Sequence, residues 1–308
     1  MRFKDRAWTW SVKARLASAV ASCILISHLV RAEQHDTADV DTALILAVDV
    51  SNSVDETRYR LQMEGIAQAL EDTSVIDAIT SGPNGAIALS LVTWADHAEL
   101  SIPWRSIRSK ADAVAFAELI RRVPQLPGEY TCTARMLEHL SETIVPAMPV
   151  KAKRVVIDVS GDGIDNCGQP GDSAAARDAL AQRDVTINGL PIIVQGENDI
   201  VGAGAYRAPG YGLKELPREP DRESTTLDAW YKANVIGGPY AFLILAHGFA
   251  DFGRAFRQKF VTEVSEGRDR DLDAAVLTPR LNEGAARVGP RRIGGRSSSR
   301  SLPGLARR

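Results

Sequence analysis

"LILAVDVSNSVDE", residues 44–56, runs four apolar residues and a valine into Asp49, then sets Ser51, Ser53 and Asp55 at short intervals. The run 43–50, "ALILAVDV", is nearly continuous in apolar residues, the pattern of a strand buried on both faces of a parallel sheet. No glycine-rich phosphate loop follows it. Three readings compete for its polar end: a catalytic nucleophile, one loop of a metal site, or a capped turn. The last is the blandest, since Asp, Ser and Asn all favour turns and helix N-caps.

The flanking chain alternates apolar runs with helical periods. "DETRYRLQMEGIAQALED" (55–72) places Tyr59, Met63, Ile66, Ala67 and Leu70 on one helical face. "GAIALSLVTWA" (85–95) reads as a strand and "AELSIPWRSI" (98–107) as another close behind it. The short link makes them a hairpin, and Pro103 suits an edge better than a centre. Helices follow at 109–123, with Ser109 as N-cap, and at 133–145. "KRVVIDVSGDG" (153–163) is a third buried strand with a polar end. Then come helix 172–184, capped by Asp172 or Ser173, strand 185–194, helix 225–235, strand 240–246 and a closing helix 249–264. This alternation predicts an α/β fold: a mostly parallel six-stranded sheet with one antiparallel edge strand and helices on both faces.

A chain of 308 residues with 44% apolar and 25% charged residues builds one full core, and this reading puts the folded domain at 40–266. The net charge of −2 gives no reason to expect a nucleic-acid partner. Residues 1–32 read as a signal peptide rather than fold. Lys4, Arg6, Lys13 and Arg15 precede the apolar "LASAVASCILISHLV" (16–30), and "VRA" (30–32) resembles a cleavage site. The expected protein is exported, periplasmic or secreted, with no membrane span in the mature chain. A retained anchor is the alternative. Within the domain, 196–223 is rich in Gly and Pro and long for a loop without structure of its own. Residues 267–308 read as a disordered basic tail.

In an open α/β sheet, ligands bind beyond the carboxyl ends of the strands where strand order reverses. Three loops are expected there: Asp49-Val-Ser51-Asn-Ser53, Gly128-Glu-Tyr-Thr131, and Ser160-Gly-Asp162-Gly163. Asp49 and Asp162 offer two carboxylates and the loops several hydroxyls, with no imidazole or thiolate. Such oxygen donors suit a hard cation such as Mg²⁺ or Mn²⁺. At these residues the chain resembles the von Willebrand factor A domain and its metal-ion-dependent adhesion site, Asp-x-Ser-x-Ser, then a Thr, then Asp-Gly. More closely it is similar to a bacterial subfamily of exported, functionally uncharacterised members. The resemblance spans about 41–265 and implies a Rossmann-like von Willebrand A fold. It further implies Asp49, Ser51, Ser53, Thr131 and Asp162 as the metal set and Mg²⁺ or Mn²⁺ as the ion. The function it implies is divalent-cation-dependent protein binding, as adhesion or scaffold, with a carboxylate of an unidentified partner protein completing the site.

The chain departs from that pattern in one loop. Glu129 and Tyr130 stand where the family has two glycines, which leaves Thr133 as a substitute for Thr131. With Cys23 in the leader, the mature chain keeps Cys132 and Cys167, one beside Thr131 and one shortly after Asp162. A disulfide there would pin two ligand loops together. It would close a loop of about 36 residues, worth roughly 4 kcal/mol.

The enzyme alternative is a Mg²⁺-dependent phosphatase of haloacid dehalogenase type, because "SGDGIDN" (160–166) also looks like that family's last acidic motif. Its general acid would fall at Ser51, which cannot serve near neutral pH. A structural envelope protein with a vestigial metal site is the third reading. His97 and His139 are expected at the surface or in packing, and Trp94, Trp104 and Trp230 in or near the core.

Overall fold

The computed structural model describes residues 40–202 and 224–277. The leader 1–32, most of the 196–223 loop and the tail beyond 277 lie outside the described residues. The chain forms two compact units, 1–270 and 271–308, and of the second only the end of one helix is described.

In chain order the strands are β1 (Val40–Asp49), β2 (Ile87–Trp94), β3 (Ala98–Ile107), β4 (Ala152–Gly161), β5 (Val185–Ile193), β6 (Ile200–Gly202), β7 (Ser224–Thr226) and β8 (Ala246–His247). The helices are α1 (Glu56–Glu71), α2 (Thr73–Thr80), α3 (Lys110–Ile120), α4 (Thr133–His139), α5 (Asp172–Ala181), α6 (Leu227–Asn234) and α7 (Phe252–Leu277). One sheet of six strands runs β3-β2-β1-β4-β5-β8, and β6 and β7 pair separately. All neighbours in the large sheet are parallel except β2 with β3. The expected α/β architecture is therefore present, with its antiparallel strand at the edge.

β1 lies at the centre and buries both faces. Leu44, Leu46 and Val48 pack with α1, α2, α3 and α7, while Ile45 and Ala47 pack with α4, α5 and α6. Alternation along a strand sends neighbours to opposite faces, so a strand covered on both sides must be apolar throughout. α1 and α7 cross so closely that a Cβ on Gly65 would lie 2.9 Å from the Cα of Gly253. Pro103 sits in a bulge of β3, where Pro103 and Trp104 oppose Ser90 alone, so its missing N–H breaks no ladder bond.

The structure departs from the sequence reading at several elements. The expected strand 240–246 shrinks to β8, with single bridges at Gly237 and Leu243. Gly238 and Tyr240 have positive φ (83° and 60°), and the Phe242 N–H bonds the Asn188 side chain, so this stretch only touches the ladder. α2 is an additional helix, capped by Asp72, whose side chain accepts the Ser74 N–H. Helix 133–145 continues past α4 as a π-helical segment, Leu140–Ile144. α5 starts after Gly171 in a left-handed conformation, with no side-chain cap from Asp172 or Ser173. Ser109 does cap α3, accepting the Asp112 N–H at 3.2 Å. α7 runs to Leu277, beyond the apolar period that ends at Val264; no proline interrupts it before Pro279. The 196–223 loop opens and closes on strands β6 and β7.

Strand order places the site. From β1 the chain moves outward to β2 and β3, then returns across the sheet to β4 on the other side of β1. The carboxyl ends of β1 and β4 therefore flank the crevice where successive connections diverge.

Candidate metal centre

Asp49 ends β1, fully buried, and Asp162 follows directly on β4. Asp49 Oδ1 accepts the Ser51 N–H at 2.8 Å, which bends the chain so that the Ser51 and Ser53 hydroxyls turn inward. Thr131, just before α4, donates to Ser51 Oγ at 3.3 Å; Ser51 and Ser53 share a hydrogen bond of 3.3 Å; Ser53 donates to Asp162 Oδ1 at 2.5 Å. The five expected residues thus meet, four of them in one unbroken chain of hydroxyls and carboxylate. Thr133 is buried but lies outside that chain, and its Oγ1 has no hydrogen-bond partner.

The electrostatics of this cluster are unfavourable to itself. Burial, and after it the charge of Asp162, push the Asp49 carboxyl up to about 8, against the pull of hydrogen bonds from Ser51 and from the Asp162 backbone. Burial and then the charges of Asp49 and Asp162 likewise raise the Tyr231 phenol. Asp49 Oδ2 accepts no hydrogen bond, although a buried carboxylate oxygen left alone is costly. Gly161 keeps the space beside it free: a Cβ there would lie 2.9 Å from Asp49 Oδ2 and 2.8 Å from the Tyr231 hydroxyl. Two acids, three hydroxyls and an orphaned inward oxygen fit a hard divalent cation. Among the described residues no group of three or more His, Cys, Asp or Glu could hold a metal ion, so a site here would draw on the hydroxyls as well.

Several supporting residues carry no signature in sequence. Asp165 accepts from the Ala134 and Gly168 N–H groups, the Cys167 N–H and the Ser173 hydroxyl, at 2.7 to 3.0 Å. It holds the loop after β4 against the start of α4. Asn166 Oδ1 accepts the Thr131 N–H at 2.7 Å. Cys132 and Cys167 are joined, as expected, which ties the same two loops covalently. Asp96 accepts the N–H groups of Glu129 and Tyr130, the residues that replace the two glycines. Asn198 donates to the Asp162 carbonyl at 2.6 Å. At the rim, Arg58 from α1 places Nη1 3.8 Å from Asp162 Oδ2, donates to Glu197 at 2.8 Å, and lies 5.0 Å above the Phe249 ring. Arg58 could have been suspected from its place in the first turn after the serines; Glu197 and Asn198 only from the length of their loop.

Of the other residues singled out, His97 is exposed and His139 half-buried, Trp94 is buried beside Asp49 on β2, and Trp104 and Trp230 pack partly buried against the core.

A family model described as "Protein of unknown function (DUF1194)" matches residues 39–268. The chain belongs to the DUF1194 family. No curated protein matches its sequence. Among solved structures, this DUF1194 protein is similar to proximal thread matrix protein 1 from the mussel byssus (TM-score 0.48, 17% identity, 74% of this chain and 47% of that one). One structure of that mussel protein carries a zinc-occupied MIDAS motif (TM-score 0.47, 16% identity, 73% of this chain and 46% of that one). It is also similar to BatB from Bacteroides thetaiotaomicron (TM-score 0.45, 15% identity, 73% of this chain and 99% of that one). The chain spans less than half the length of the mussel protein. At these identities the similarity lies in the fold. Among the described residues no helix is long and apolar enough to cross a membrane.

Proposed function

We propose that this DUF1194 protein is a divalent-cation-dependent protein-binding domain of the cell envelope and breaks no bond. The observation that carries the reading is the meeting of Ser51, Ser53, Thr131 and Asp162 in one hydrogen-bonded chain beside the buried Asp49 carboxylate. Ser51, Ser53 and Thr131 would hold Mg²⁺ or Mn²⁺ through their hydroxyl oxygens. Asp49 and Asp162 would orient those hydroxyls and balance the charge. A bound cation supplies a Lewis-acidic position for a carboxylate of a partner protein. The basic-then-apolar segment 1–32 and the Cys132–Cys167 disulfide support an exported protein.

The phosphatase alternative is weakened by one observation. Ser51, where a general acid would stand, is spent as part of the hydroxyl chain.

The test is calorimetry with Mg²⁺ and Mn²⁺ on the wild type, Asp49→Ala and Asp162→Ala. One ion per chain, lost in both variants, is expected, followed by partner capture that chelator abolishes. A wild type that binds neither ion would remove cation dependence from the reading. Turnover of a chromogenic phosphate ester with Mg²⁺ would favour the enzyme instead.

A further inference from the structure

A second polar cluster lies within the core on the α7 side of the sheet, and the metal reading makes no use of it. Lys259, in α7, is 0% exposed, and its stem reaches the middle of β4. Its Nζ lies 2.5 Å from Asp158 Oδ1 and also contacts Glu263 Oε1, one helical turn on. Asp158 and Glu263 are 3% and 2% exposed. The Phe242 ring lies 5.4 Å from the ammonium, Asn188 donates to Glu263 Oε1 at 2.7 Å, and the Arg154 guanidinium donates to the Glu263 carbonyl. Asp158 Oδ2 and Glu263 Oε2 accept no hydrogen bond.

A lysine is almost never fully buried unless paired, and a lysine amine held against a carbonyl carbon can act as its nucleophile. Here Nζ touches the Asp158 carboxyl in a site closed to bulk solvent. A second carboxylate touches the same nitrogen. We infer that Lys259 and Asp158 condense to a side-chain amide, with Glu263 as the proton carrier. The amine attacks Asp158 Cγ; Glu263 takes a proton from the nitrogen and returns it to the departing hydroxyl; one water leaves. In sum, an ammonium and a carboxylate become an amide and water, with no oxidant or reductant. Burial, and after it the charge of Glu263, push the Asp158 carboxyl up to about 7, so a protonated, electrophilic fraction is present near neutral pH.

Two further features favour the product. A neutral amide replaces a buried charge pair whose desolvation is unfavourable. Holding both groups at contact distance gives the reaction the high effective concentration of an intramolecular step. The bond joins α7 to the central sheet and would lock the last element of the fold onto it, a useful trait in a protein exposed to proteases. It does not depend on the metal centre.

The test is peptide mapping of the full chain, reduced and alkylated, then cut with trypsin. The expected product joins 155–177 to 258–268 with the loss of one water, uncut after Lys259. Water loss alone does not decide it, since Asp162-Gly163 in the same peptide can cyclise; the joined pair does. Glu263→Gln should yield the separate peptides with cleavage after Lys259. Asp158→Asn should yield the joined pair with the loss of ammonia in place of water. Separate peptides from folded wild type would overturn the proposal. Joined peptides in Glu263→Gln as well would keep the bond and remove Glu263 from it.

Discussion

Asp49 has the least favourable surroundings of any residue in the candidate centre, and two predictions follow from its position. In the folded, metal-free chain its carboxyl keeps a proton up to about 8, whereas in the unfolded chain it releases it near 3.8. Between those values the folded state binds more protons, so raising the pH withdraws stability. With chelator present, the Tm should fall from about pH 5 to about pH 8. Saturating Mg²⁺ should restore most of the loss at the upper end, and Asp49→Asn should flatten the profile. A metal-free profile that rises over this window would contradict the assignment. Arg58 acts in the opposite sense, as a resident positive charge 3.8 Å from Asp162. Arg58→Gln should raise Mn²⁺ affinity roughly tenfold by removing that repulsion, and Arg58→Lys should change it little. Calorimetry of the three proteins in parallel measures both.

The loops matter at the scale of elements because each ligand is only as well placed as the chain that carries it. Asp165 is the clearest case. Its two oxygens accept from α4, from α5 and from its own turn, so one side chain spaces three elements. Asp165→Ala leaves buried donors without acceptors and should cost about 1–3 kcal/mol in urea unfolding. It should also weaken cation binding, because Thr131 and Asp162 lose their fixed separation. Asp165→Asn should recover part of the stability, since its carbonyl still accepts. In sequence, Asp165 is one acid among several in "SGDGIDN"; its role depends on where α4 ends up. α4 itself was legible as a helix, and so were the central strands, because burial on one stripe or on two faces leaves a local period. Strand 240–246 was not, because its apolar composition suits a strand while Gly238, Tyr240 and the Asn188 side chain redirect its backbone.

At the scale of the whole molecule, the disulfide and α7 both close long circuits. Cys132–Cys167 spans 35 positions and joins two of the three ligand loops. The double variant Cys132→Ser, Cys167→Ser should lose about 2–4 kcal/mol of stability. Its Mg²⁺ affinity should fall further than the stability change explains, since the open loops must be ordered on binding. An unchanged affinity would mean that Asp165 and Asn166 hold those loops without the bridge. The alternation of the main strands and helices, the buried centre of β1 and the polar strand ends were readable from residues 40–264, because each rests on local periodicity or on a short motif; α2, β6, β7 and the shortened β8 were not. Convergence was not readable. Choosing Thr131 over Thr133, bringing Arg58 and Asn198 to Asp162, and burying Lys259 with Asp158 all depend on the order β3-β2-β1-β4-β5-β8 and on α7 crossing α1 at Gly65 and Gly253. Lys259 and Glu263, four apart on a helix, read as an ordinary exposed ion pair. Only packing against the sheet shows that no water reaches them, because burial belongs to pairs of elements far apart in the chain.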